Sequence, residues 1–170
     1  MLVDSRTLTT SQSIEADVCI MGGGAAGITL ANELKEKFSN IVLLDAGGTE
    51  YEQSIQDLYD AHTVSKHYPD PLVSRLRFLG GATNHWSNNT SPFSPIDFEH
   101  RDWVPDSGWP ITYDELAPFY NKAAQYCQTG TDGYEPKFWL PKIEKQELFS
   151  QSANTELAMA KASVPPTRFF

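Results

Sequence analysis

DVCIMGGGAAG, residues 17–27, carries the pattern from which the rest of the chain can be read. Residues 16–21 are apolar and rich in β-branched side chains, bounded by Glu15 and by glycine, which predicts a buried strand of a parallel sheet. Gly22, Gly24 and Gly27 then stand at G-x-G-x-x-G spacing. Residues 28–38 follow as a predicted helix, with Ile28, Leu30, Ala31, Leu34 and Phe38 available to cover a sheet. A second apolar run, residues 41–44, closes on Asp45, an acid at a strand end about 20 residues beyond the glycines. Strand, glycine turn, helix, strand and acid agree, so the fold class is α/β with a Rossmann-like dinucleotide site.

Each position has its own physical reason. Gly22 permits the tight turn, Gly24 leaves room for a pyrophosphate to approach the backbone, and Gly27 lets helix and strand pack closely. The helix start at Ala25 and Ala26 offers unpaired N–H donors and the positive end of the helix dipole. Asp45, followed by Ala46, can accept hydrogen bonds from a ribose hydroxyl pair, and its charge repels a 2′-phosphate. NADP is disfavoured, which leaves FAD or NAD.

Composition narrows the class further. Among 170 residues, 13 basic side chains against 22 acidic ones give a formal charge of −9, which argues against nucleic acid and anionic membrane surfaces as partners. The longest apolar stretch, residues 18–31, is shorter than the about 20 residues of a membrane helix and holds four glycines. Residues 1–15 read as a polar arm. With Asp4 and Arg6 early and no apolar core, they show no secretory signal, so a cytoplasmic location is expected. Cys19 and Cys127 match neither a zinc nor a disulfide pattern, and Cys19, inside an apolar run, is expected to be buried. The sequons at Asn88 and Asn89 read as chance matches, and His62 and His67 lack the carboxylate company of a metal motif.

The second informative stretch is RLRFLGGATNHW, residues 75–86. Arg77 precedes an apolar pair and the Gly80-Gly81 turn, and Thr83, Asn84 and His85 cluster beside Trp86. Such a set is costly to bury without a ligand and suits the flank of a planar cofactor. The alternative is a glycine loop whose His85 is hydrogen-bonded in the core. Between the two motifs, a short helix is predicted near residues 54–61 and an extended loop at Tyr68-Pro69-Asp70-Pro71. Residues 92–109 read as a proline-punctuated cover with aromatic anchors, in which His100 and Asp102 are ordinary surface residues. Thr112 and Glu115 form a capping box for a helix toward Cys127 that Pro118 should bend or split. Beyond residue 128 the signals fade. Gly130 and Gly133 break the chain, residues 138–141 offer an apolar edge, residues 147–162 have a helical pattern, and a Pro165-Pro166 turn leads to Phe169-Phe170.

DVCIMGGGAAG, LLDAGG, RLRFLGGATNHW and SGWPITYDELAPFYNKAAQYC together resemble the N-terminal part of the glucose-methanol-choline (GMC) oxidoreductases. They are most similar to the branch containing pyranose oxidase, fructose dehydrogenase and gluconate dehydrogenase. The resemblance covers most of the chain up to about Cys127 and implies FAD as cofactor. Gly22, Gly24 and Gly27 would then face the pyrophosphate and Asp45 the adenosine ribose, at a position that is commonly glutamate in the family. Gly80, Gly81 and Thr83 would line the flavin side. In some members the histidine at the place of His85 is bonded covalently to the flavin, so His85 is where such a bond would form.

The resemblance also implies what the intact enzyme does. It would oxidise an alcohol carbon of a sugar or polyol by hydride transfer to FAD, with oxygen or a quinone as electron acceptor. The family's base histidine is expected beyond Phe170, so the chain alone is expected to lack turnover. The resulting organisation is an arm at 1–15, a partial FAD-binding domain with long loops at 16–127, and a following segment or truncated remainder at 128–170. An NAD-dependent dehydrogenase fragment would share Gly22 to Gly27 and Asp45 but leave GGATNHW and GWPITYDEL unexplained. A non-catalytic nucleotide-binding module would have no use for His85.

Overall fold

The computed structural model of the chain describes residues 1–9, 11, 13–62, 64, 67–87, 89–129, 134 and 161–162. These divide into two compact units, one comprising Met1–Trp86 and the other beginning at Ser87.

The first unit is mixed α/β, built on a small parallel sheet. Strand β1, Val18–Met21, pairs in parallel with β2, Ile41–Leu44, so that Val18 lies opposite Ile41 and Met21 opposite Leu44. Parallel neighbours need a crossover, and helix α1, Ala25–Leu34, supplies it. Ile28 on α1 and Ile20 on β1 are buried, forming the seam between helix and sheet. The helix starts earlier than its apolar spacing predicted, because Gly24 already serves as N-cap. It also stops earlier, at Leu34, where the Leu34 carbonyl accepts from both Lys37 N and Phe38 N and closes the last turn.

Two expectations about burial are corrected here. Cys19 is exposed, and β1 is covered on one face only. Side chains alternate across a strand. Ile20 faces α1, so Cys19 and Met21 fall on the opposite face, which no described element covers.

After β2 the chain makes short turns rather than long elements. Helix α2, Gln53–Gln56, passes directly into a 3-10 turn, Asp57–Tyr59, in place of the single helix predicted over 54–61. Helix α3, Pro71–Ser74, interrupts the predicted extended loop. Asp70 caps it by accepting from Leu72 N at 2.9 Å, and Pro71 takes the first helical position, where a missing N–H costs nothing. A second 3-10 turn, Gly81–Asn84, is entered through Gly80 at φ 92°.

In the second unit, β3, Asn89–Thr90, pairs antiparallel with β4, Lys161–Ala162. Helix α4, Pro95–Phe98, and helix α5, Tyr113–Tyr126, are joined through aromatic rings. Phe98 meets Phe93 and Tyr113 edge-on at 6.0 Å, Trp109 tilts against Phe93, and the Tyr120 hydroxyl accepts from Phe93 N at 3.1 Å. The proline-rich stretch therefore packs as a cover over α5. The predicted capping box is present: Thr112 Oγ1 accepts from Glu115 N at 3.3 Å, and Glu115 Oε2 accepts from Thr112 N at 2.7 Å. Pro118 neither ends nor splits α5, which runs through it.

His100 Nε2 and Asp102 Oδ1 lie 3.4 Å apart, both side chains exposed. The sequon at Asn88, Gly130 and Gly133, the apolar edge at 138–141 and the turn and aromatic end at 165–170 lie outside the described residues. So does the helical pattern of 147–162, except its last two residues, which are strand rather than helix. Among the described residues no helix is long and apolar enough to cross a membrane.

Candidate functional site

The glycine turn is closed by the backbone of β2. Gly22 N donates to Leu44 O at 2.7 Å, and the chain reverses through Gly22 at φ 105°. At Gly27 a Cβ would collide with the Gly22 carbonyl oxygen and press on Ile20, so the close helix–strand approach needs glycine. Gly24 is the opposite case. A Cβ there would meet nothing within 4 Å, and the residue caps α1 without a side-chain hydrogen bond. The amides of Gly24, Ala25 and Ala26 have no acceptor among the described residues, leaving the positive end of a ten-residue helix open.

Asp45 is drawn into this turn. Its Oδ2 accepts from Gly23 N at 2.6 Å and its Oδ1 from Gly47 N at 2.8 Å. The carboxylate at the end of β2 thus ties two glycine-containing loops together.

The second glycine motif docks on the first through backbone hydrogen bonds. Gly80 N donates to Gly23 O at 2.7 Å and Leu79 N to Gly48 O at 2.9 Å. Gly81 comes so near that a Cβ on it would stand 3.4 Å from Gly24 Cα. Thr83 and Asn84 hold the turn from inside: Thr83 Oγ1 donates to Gly80 O, and Asn84 Nδ2 donates to Leu79 O and Gly81 O. Asn84 Oδ1 remains buried without a donor. His85 is exposed, its backbone amide donating to Ala82 O at 3.2 Å. The alternative of a histidine buried in the core is therefore corrected: the turn ends at His85 and directs its ring outward.

A groove of about 590 Å³ opens where the two motifs meet. Of the residues singled out from the sequence, Gly22, Gly24, Asp45, Ala46, Arg77 and Gly81 line it. Ala25, Ala26 and Gly27 stand behind in the first turn of α1, while Gly80, Thr83, Asn84 and His85 belong to the docked turn without lining the groove. Arg77 lies with its guanidinium carbon 5.0 Å from the centre of the Tyr59 ring, and its Nε is buried without an acceptor. A second cavity of about 740 Å³ shares Leu44, Asp45 and Ala46 and is walled on its far side by Leu2, Val3 and Arg6.

The polar arm therefore has a fixed place in the first unit. Arg6 pairs with Asp4 and Glu52, each at 2.7 Å. The hydrogen bond from the Arg6 side chain holds the Asp4 carboxyl down at about 2, and the Arg6 guanidinium is pushed up chiefly by its bond to Asp4.

Tyr59 and Gln56 escaped the sequence reading. Gln56 is buried at 3% exposure in the first unit and bonds three backbone groups. No motif or periodicity marks either residue, because their roles arise from contacts with residues 72–77.

No protein-family model matches the chain. It is similar to three curated proteins. The large subunit of fructose dehydrogenase from Gluconobacter japonicus is 25% identical, with 81% of this chain and 31% of that protein covered. For 2-methyl-1,2-propanediol dehydrogenase from Mycolicibacterium austroafricanum the identity is 23%, covering 66% and 24%. For 6‴-hydroxyparomomycin C oxidase from Streptomyces lividus it is 27%, covering 61% and 21%. All three are named as oxidoreductases. The chain spans about a third of the length of these relatives or less.

Proposed function

We propose that the chain is the FAD-binding N-terminal portion of a GMC-type oxidoreductase, folded as part of a Rossmann-like domain. The intact enzyme would oxidise an alcohol carbon of a sugar or polyol, with oxygen or a quinone as final electron acceptor. The observation that carries this reading is the docking of Gly80-Gly81 onto Gly23 and Gly24 around one groove. The names of the relatives, two dehydrogenases and one oxidase, support the oxidoreductase class.

The residues present fit a dinucleotide. Open space over Gly24, three amides without acceptors at the start of α1 and the orphaned Nε of Arg77 offer donors and room to a pyrophosphate. Asp45 already accepts two backbone amides, and each carboxylate oxygen keeps a further lone pair for a ribose hydroxyl. Its negative charge disfavours a 2′-phosphate at the same place. The exposed ring of His85 is accessible for covalent attachment. Bound flavin supplies the two-electron acceptor for the hydride, and the chain's own groups bind and orient it.

The test is the absorption spectrum of the purified chain after incubation with FAD. A flavin spectrum that survives gel filtration supports the reading, and colour retained after acid precipitation, lost in His85→Ala, identifies the attachment. A colourless folded protein that binds NAD and ignores FAD overturns it.

A further inference from the structure

Gln56 satisfies the backbone where α3 ends and the chain leaves it. Helix α3 stops at Ser74, so the last carbonyls of the helix and the backbone that follows have no helical partner and need partners from elsewhere. Gln56 Nε2 donates to Leu72 O at 2.8 Å and to Arg75 O at 2.7 Å, while Oε1 accepts from Arg77 N at 3.0 Å. Both amide donors and the acceptor are engaged, which accounts for a glutamine at 3% exposure. The last of these bonds fixes the backbone of Arg77 itself.

Three residues further on, in the same run of helical turns, Tyr59 places its ring 5.0 Å from the Arg77 guanidinium carbon. Residues three apart share a face of such a turn. One short element thus holds Arg77 twice, at the main chain by Gln56 and at the side chain by Tyr59. The positive charge so held meets no carboxylate among the described residues, and its Nε is buried without an acceptor. Arg75, two positions earlier, differs: it is exposed, and its guanidinium donates to the Tyr68 hydroxyl. Arg77 and Tyr59 line the same groove as Gly24.

We propose that Gln56 and Tyr59 are positioning residues that aim Arg77 at a phosphate group of the ligand. This rests on the reading of the groove as a nucleotide site. A glutamine that merely braced a loop would influence every ligand alike. One that aims a charge influences only the charged ligand, and only while Arg77 is there to be aimed.

The experiment is calorimetric titration of the full chain with ADP and, separately, with adenosine, at two salt concentrations. Arg77→Met is expected to weaken ADP about tenfold, leave adenosine unchanged and flatten the salt dependence. Tyr59→Leu and Gln56→Met are each expected to weaken ADP about three- to tenfold, again sparing adenosine. In an Arg77→Met background neither is expected to cost further affinity. Losses that add to that of Arg77→Met, or that fall equally on ADP and adenosine, overturn the positioning role while leaving the groove reading intact. Failure of the unsubstituted chain to bind ADP overturns both. Tyr59 makes none of the bracing hydrogen bonds, so Tyr59→Leu decides the matter even if Gln56→Met loses its fold.

Discussion

The carboxylate of Asp45 grips the glycine turn at Gly23, with Oδ2 accepting from Gly23 N at 2.6 Å. Through Oδ1 it also accepts from Gly47 N at 2.8 Å. The residue that sequence spacing singles out for a ribose is therefore also a staple between two loops. Asp45→Ala is expected to lower the unfolding free energy by about 1–3 kcal/mol, since the part-buried Gly23 amide loses its acceptor. Chemical denaturation measures this, and an unchanged midpoint would show that the staple is dispensable.

Gly27 and Gly24 should respond in opposite ways to the same added methyl group. Gly27→Ala drives a Cβ into the Gly22 carbonyl oxygen, so a loss of about 1–3 kcal/mol is expected whether or not ligand is present. Gly24→Ala meets open space in a backbone conformation that alanine tolerates. Its melting temperature should hold while FAD affinity falls. Thermal melts with and without FAD separate the two.

The two thiols should differ in reactivity. Cys19 is exposed, whereas burial pushes the Cys127 thiol above its ordinary value and reduces its thiolate fraction at neutral pH. Iodoacetamide at pH 8 is expected to label Cys19 first, read by mass spectrometry of the peptides. Faster labelling of Cys127 would contradict the placement of β1.

The arm contact should weaken in acid. The hydrogen bond from the Arg6 side chain lowers the Asp4 carboxyl from 3.8 to about 2. A carboxyl held down by folding contributes stability that is fully present above its unfolded value and is lost as pH falls through the folded one. The Asp4 to Arg6 contact should thus persist at pH 4 and fade toward pH 2. Amide shifts of residues 4–7, titrated by NMR, should report a midpoint near 2, moving up toward 3.8 in Arg6→Ala.

The cap of α5 follows the same sign. Bonds from the Thr112 backbone and then its hydroxyl hold the Glu115 carboxyl below its usual 4.5, so the cap is intact at neutral pH and opens as acid protonates Glu115. Thr112→Ala is expected to destabilise the helix by about 1 kcal/mol. The helical circular dichroism signal followed across pH should keep an acid-dependent step in that variant, moved to higher pH, because Ala at 112 retains the backbone donor to Glu115 and loses only the hydroxyl.

Much of the local architecture was legible without coordinates. The apolar runs around Cys19 and Val42, the glycine spacing and the capping box at Thr112 announce themselves because each is a short-range pattern with a steric or hydrogen-bonding cause. Boundaries were less legible: α1 begins at Ala25, because a glycine N-cap leaves no side-chain signal. The exposure of Cys19 is not legible in the sequence, because an apolar run shows that a strand forms, and only the neighbours decide which face is covered.

The sequence by itself determined that a strand turns through Gly22 to Gly27 into a helix and that an acid closes the next strand, since these follow from backbone sterics and spacing alone. Only the tertiary structure decided that Asp45 staples that turn, that Gly80 docks on Gly23, and that a buried Gln56 and the ring of Tyr59 hold Arg77 at the groove. Those relations join residues distant along the chain through single directional hydrogen bonds and one ring contact, which leave no periodicity for a sequence to display.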